Sequence, residues 1–109
     1  MAAPDDTVML RVYLGEADST GHHATYKQVI LTLRGLGIKG ATAMRGISGY
    51  GGRSLLHAAS PLRLSVDLPI IIEAVDERKK IEGAIRTISP MVKGGLIVVI
   101  PVTAYDTVT

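Results

Sequence analysis

Val8, Leu10, Val12 and Leu14 alternate with Met9, Arg11 and Tyr13, a period of two that predicts a strand closing at Gly15. After a loop over Asp18 to Ala24, Thr25 and Gln28 have the spacing of a capping box. Tyr26, Val29, Ile30 and Leu33 then recur at helical spacing until Gly35 and Gly37 stop the run. Ala41 to Gly51 reads as a second strand that runs into the glycines at 46, 49, 51 and 52. Ser60 and Pro61 punctuate a loop, and Leu62 to Val75 returns to strand character with Pro69 interrupting it. Asp76 is placed to cap a second helix, whose first turn holds Glu77 and whose apolar face is Ile81, Ile85 and Ile88. Pro90 ends that helix, and Gly94 and Gly95 lead into a last strand, Leu96 to Val102, with Pro101 near its end.

The order is βαββαβ. Right-handed crossovers put both helices on one face of a four-stranded antiparallel sheet, the ferredoxin-like α+β arrangement. Two helices cover one face only. The last strand is apolar on both sides, with Leu96, Val98 and Ile100 against Ile97 and Val99, and Ile71 and Val75 stand opposite Ile70 and Ile72. A face left to water would show polar residues at alternate positions, so the second face is expected to pack on other copies of the chain, with a longer loop folding over the sheet as the alternative.

The length of 109 residues fits one domain, 1–109, with 52–61 as the loop between the second and third strands. At 47% hydrophobic and 20% charged residues, the chain has the composition of a packed globule. No basic cluster precedes an apolar run at the start, and the apolar stretches are far shorter than the roughly 20 residues of a membrane span. A cytoplasmic protein without membrane insertion is the expectation. The net charge is only +2, yet no carboxylate occurs between Asp18 and Asp67, where Lys27, Arg34, Lys39, Arg45, Arg53 and Arg63 all fall. The middle of the chain is therefore a candidate anion surface.

Several chemistries are disfavoured. Without cysteine there is no thiolate metal site and no cysteine nucleophile, and His22, His23 and His57 have no partner set at zinc spacing. With no Phe or Trp, the sheet lacks the aromatic platform of a sequence-specific RNA binder, and no nucleic-acid partner is expected. No serine triad or carboxylate pair stands out, so no catalytic residue, metal or resident cofactor is assigned. A small acylphosphatase-like enzyme would need a phosphate-binding loop after the first strand, but Gly15-Glu16-Ala17-Asp18 is acidic.

The run Arg45-Gly46-Ile47-Ser48-Gly49-Tyr50-Gly51-Gly52-Arg53 is more specific. Glycines let a backbone approach an anion closely, and arginines add planar donors suited to phosphate or carboxylate. No Gly-Lys-Ser or Gly-Lys-Thr follows, so this is not a nucleotide loop of the Walker type. Together with Gly40-Ala41-Thr42, the stretch Asp67 to Glu73, Val75-Asp76, Gly95-Leu96 and Pro101-Val102, the run resembles the nitrogen-regulatory PII proteins. It resembles more closely an uncharacterised PII-like family of small trimeric proteins.

The resemblance implies a homotrimeric signalling protein that takes a small anionic effector, an adenine nucleotide in the first place, in clefts between subunits and acts on a protein partner. Gly49, Tyr50 and Gly51 match the glycine-aromatic-glycine at the base of the PII loop, and Arg53 matches the arginine just beyond it. Arg45 and Lys93 are further charge donors. Lys93-Gly94-Gly95 is similar only in part to the PII phosphate turn, because the lysine precedes the glycines, and the tail from Thr103 to Thr109 has no arginine pair. A trimeric adaptor without a ligand is the competing reading.

Overall fold

The structure, a computed structural model, describes residues 6–20, 23–51, 57–58 and 68–107. Strands β1 (Thr7–Gly15), β2 (Thr42–Arg45), β3 (Pro69–Glu77) and β4 (Leu96–Pro101) form one antiparallel sheet in the order β2-β3-β1-β4. Helices α1 (Thr25–Gly35) and α2 (Arg78–Ile88) join them. Two short ribbons, Ser19–Thr20 with His23–Ala24 and Ser48–Gly49 with His57–Ala58, stand apart from the sheet. This is the ferredoxin-like arrangement that the periodicity predicts.

One face of the sheet meets both helices. Val8, Leu10, Val12 and Leu14 of β1 and Ile70, Ile72 and Ala74 of β3 are buried there with Val29 and Leu33 of α1 and Ile81, Ala84 and Ile88 of α2. Tyr26, Ile30, Ile85, Ile97 and Val99 pack on the margin of this core. Each apolar side chain taken fully out of water contributes on the order of 1.5–3 kcal/mol, so this single layer carries most of the fold's stability.

Element boundaries differ from the sequence reading in four places, each for a local reason. β2 stops at Arg45 instead of running to Gly51, because the Gly46 amide turns to donate to the Pro69 carbonyl at 2.7 Å and the chain leaves the sheet edge. β3 begins at Pro69, the position in a strand where a missing N–H costs least; residues 62–67 lie outside the described residues. α1 starts one residue earlier than a Thr25 cap would have it, with Ala24 at the N-cap and no side-chain capping bond. Its far end is as expected: Gly37, at φ +83°, lets the chain reverse, and the Ile38 amide bonds back to the Leu33 carbonyl at 3.1 Å. Pro90 likewise falls in the single 3-10 turn, Ser89–Met91, that closes α2.

Asp76 is the fourth. It does not cap α2, whose N-cap is Glu77; β3 continues through it, and its side chain is 1% exposed. Its carboxylate accepts from the Glu77 amide at 2.7 Å and the Lys39 amide at 3.1 Å, and lies 3.3 Å from the Lys80 ammonium. Lys80 also donates to the Gly37 carbonyl at 2.7 Å. One carboxylate thus joins the turn after α1 to the start of α2. Burial alone pushes its pKa up, but the two amides and Lys80 outweigh that and hold the group below its ordinary value.

The sign of the pH dependence follows. A carboxyl whose folded-state pKa is depressed stabilises the fold fully above its unfolded value of about 3.9, and that contribution is lost as pH falls through the folded-state value. Asp76→Asn, which replaces an acceptor with a donor facing amides, is expected to lower stability by about 2 kcal/mol at pH 7. Urea midpoints of the two proteins should converge as the pH is taken below 4; a gap that stays constant would contradict the account.

Candidate functional site

Gly46 is where the chain leaves the sheet. A Cβ at this position would lie 2.7 Å from Pro69 Cγ, so the crossing of β2's end over the start of β3 admits only glycine without a shift. Beyond it, Ser48–Gly49 pairs with His57–Ala58, Gly49 opposite His57, and Tyr50 and Gly51 follow in the open. Ile47 and Tyr50 are 85% and 80% exposed. Arg53 lies outside the described residues.

Arg45, at the last position of β2, is paired with Glu16, which stands just past β1. The acid comes from outside the carboxylate-free stretch, so sequence spacing did not reveal it. Arg45 is 58% exposed in its side chain, and the pair is a surface one of small energetic worth. It fixes the direction of the guanidinium more than it stabilises the fold. Glu16 itself is held by its amide, which donates to the Leu68 carbonyl at 2.8 Å, and Asp18 closes the same corner by accepting from the Gly15 amide at 2.9 Å.

Lys93 is exposed in the turn between α2 and β4. Gly94 has φ +74°, and Gly95 sits against β1 so closely that a Cβ would collide with the Tyr13 carbonyl oxygen and with Val92 Cγ1. The glycine pair therefore lays the start of β4 onto β1 and presents Lys93 at a set position.

Register shows how these pieces relate. Arg45 is opposite Ile70, Ile70 is opposite Leu14, and Leu96 is opposite Tyr13, so the Arg45–Gly51 segment and the Lys93–Gly95 turn lie at the same end of the sheet. They flank opposite edges of it, because β3 and β1 run between β2 and β4. Three strand spacings separate the edges by roughly 14 Å. Within one chain the described residues assigned from sequence form two half-sites: Arg45, Gly49, Tyr50 and Gly51 on one edge, Lys93 on the other. Among the described residues no group of three metal-ligating side chains occurs, and no helix is long and apolar enough to cross a membrane.

The sheet's second face carries a feature that the sequence reading did not single out. Arg11 and Glu73 are directly opposite each other on β1 and β3, with Arg11 Nε 2.8 Å and Nη2 2.5 Å from Glu73 Oε2, and Nη1 3.4 Å from the Tyr13 hydroxyl. The hydroxyl and the carboxylate hold the guanidinium's pKa above its ordinary value. Both residues occupy outward positions of their alternating strands, a signal available from sequence, but their pairing needed the register.

Comparison with known proteins places the chain in a family. Residues 7–104 match DUF190, described as an uncharacterized ACR, and the chain belongs to that family. A UPF0166 protein of Methanocaldococcus jannaschii is 37% identical over 98 residues, covering 89% of this chain and 90% of the relative. A UPF0166 protein of Aquifex aeolicus is 31% identical over 74 residues, 68% of this chain and 70% of the relative. Among solved structures, CPII of Thiomonas intermedia K12, a nitrogen regulatory PII-like protein bound to ADP, AMP and bicarbonate, matches with a TM-score of 0.68 at 19% identity, covering 90% of this chain and 87% of that one. A putative PII-like signaling protein of Thermus thermophilus matches with a TM-score of 0.61 at 14% identity, covering 90% and 89%. The fold is PII-like.

The two glycines with opposite surroundings give a direct check of this geometry. Gly95→Ala is expected to destabilise the protein by about 1–3 kcal/mol, seen as a fall in Tm. Gly51→Ala has nothing within 4 Å of the added carbon and should leave Tm unchanged. Equal effects would contradict the close approach of β4 to β1.

Proposed function

We propose that this protein is a PII-like regulator that binds an adenine nucleotide between copies of the chain and reports it to a protein partner. One observation carries the reading: Arg45 with the glycine turn after it and the Lys93 turn share one end of the sheet but flank opposite edges. A β2 edge of one copy beside a β4 edge of another joins them into a cleft with glycine backbone on one wall and a lysine on the other, which suits a phosphate chain. CPII, whose fold this chain shares, is bound to ADP, AMP and bicarbonate, and this supports an adenine nucleotide as the effector to test first.

The open face of the sheet supports the requirement for further copies. Met9, Tyr13, Ile71, Val75, Leu96, Val98 and Ile100 line it, an apolar composition that water does not favour. A homotrimer is the assembly the reading adopts. Ile47 and Tyr50, exposed beside the glycine turn, supply apolar contact area for a protein partner next to the effector. The loop 52–61, through which a sensor would report its effector, lies outside the described residues except at 57–58.

Thermal unfolding in the presence of ADP, AMP, ATP, cyclic mononucleotides, citrate and phosphate tests the reading on wild type, Arg53→Ala and Lys93→Ala. A nucleotide at a hundredfold its Kd adds about 2.7 kcal/mol, several degrees in a chain of this size. A shift selective for adenine nucleotides and lost in both variants is expected. No shift with any nucleotide, or the same shift in the variants, would overturn the reading and leave the ligand-free adaptor.

A further inference from the structure

Arg45 ends β2 and Glu16 stands just past β1, with the start of β3 between them. Two strand spacings, roughly 10 Å, separate their backbones, and the two side chains bridge that span as an ion pair. The main chain on each side is pinned to β3. The Glu16 amide donates to the Leu68 carbonyl at 2.8 Å, and the Gly46 amide, next to Arg45, donates to the following carbonyl, that of Pro69, at 2.7 Å. Consecutive carbonyls of one segment thus set how far apart the acid and the base stand. Asp18, accepting from the Gly15 amide at 2.9 Å, brings a second carboxylate to the same corner.

Folding therefore changes the charge that the glycine turn presents. Along the chain Arg45 lies in a stretch without acids between Asp18 and Asp67, but in the structure a carboxylate from outside that stretch occupies one side of its guanidinium. The Glu16 side chain is only 24% exposed, and a partly shielded charge acts more strongly on its neighbours than one in open water. Among the described residues Glu16 is the one hydrogen-bond partner of the Arg45 guanidinium, and it takes Nη2. Nε and Nη1 stay open to an incoming anion.

We propose that Glu16 is the charge filter of the effector site: it orients Arg45 and limits the negative charge that an anion bound there can carry. The inference rests on the reading that Arg45 meets the effector, and it needs no particular assembly, since both residues belong to one chain. A phosphate on Nε and Nη1 has a fixed, planar donor set to bind. Arg45 and Glu16 together carry no net charge, so further phosphates on the ligand draw no added attraction from the pair. With the Glu16 charge removed, Arg45 becomes a bare cation and every added negative charge strengthens binding. The ligand class that suits this corner is an anion of low charge, a nucleoside monophosphate before a triphosphate.

Isothermal titration with AMP, ADP and ATP, without magnesium, tests this on the wild type, Glu16→Gln and Glu16→Ala. Glutamine keeps an acceptor for Nη2 and removes the charge; alanine removes both. Wild-type affinity is expected not to rise from AMP to ATP. In Glu16→Gln it should rise about threefold with each added charge, and that rise should vanish near 1 M salt, where screening acts within about 3 Å. Glu16→Ala should show the same dependence on charge with weaker binding throughout, because Arg45 loses its orientation. A Glu16→Gln protein that binds as the wild type does, gains equally for all three nucleotides or binds them more weakly overturns the filter and leaves the effector site standing. Binding by Glu16→Gln alone, rising with charge, supports both. No binding to the wild type or to either variant overturns the site and the filter together. Should far-UV circular dichroism show Glu16→Gln unfolded, the wild type decides: ATP bound more tightly than AMP overturns the filter.

Discussion

Two helices can cover one face of a four-stranded sheet, and this chain places both of them on the same face. The βαββαβ order leaves no choice, since right-handed crossovers bring α1 and α2 to one side. The other side is then left to water, to another part of the chain or to a further molecule. The alternation along β1 shows the division: Val8, Leu10, Val12 and Leu14 are sealed under the helices, while Met9, Arg11 and Tyr13 face outward. The outward positions of β3 and β4 are also mostly apolar, and in the proposed function this face is the one on which copies pack.

The same topology decides where chemistry can occur. β1 and β3 hold the centre of the sheet, so the segments with glycines and cations, which follow β2 and precede β4, are pushed to opposite edges. Each edge is built with little freedom. Gly46 meets Pro69 and Gly95 meets the Tyr13 carbonyl, so the two half-sites are carried on close backbone contacts rather than on flexible side chains. In the proposed function the effector is the link between them, which lets a small anion report on, and alter, the way copies sit together.

Much of the fold was legible because its signals are periodic and local. The period of two in Val8 to Leu14 and the helical spacing of Ile81 and Ile88 were enough to place β1 and α2. Errors fell where a tertiary contact outranks a local one. Asp76 has the look of a cap, but the amide of Lys39, 37 positions away, draws it into the interior. β2 ends early because Gly46 bonds to the Pro69 carbonyl. For the site, residue types were legible and partners were not: Arg45 lies in a stretch without acids, yet Glu16 reaches it across the sheet's end. Arg11 and Glu73 were visible as outward positions, but only strand register makes them a pair.

The central claim is that opposite edges of the sheet meet only across copies, and subunit mixing tests it most directly. Arg45→Ala alters one edge and Lys93→Ala the other, so each variant alone should have no intact cleft. Co-refolded in equal amounts and assorted at random in head-to-tail interfaces, they should regain about a quarter of the wild-type ADP sites, since that fraction of clefts takes both good edges from different copies. Isothermal titration with ADP measures the recovered stoichiometry. A mixture that co-assembles and binds no ADP would contradict the account, because it would place both residues in a site belonging to a single chain.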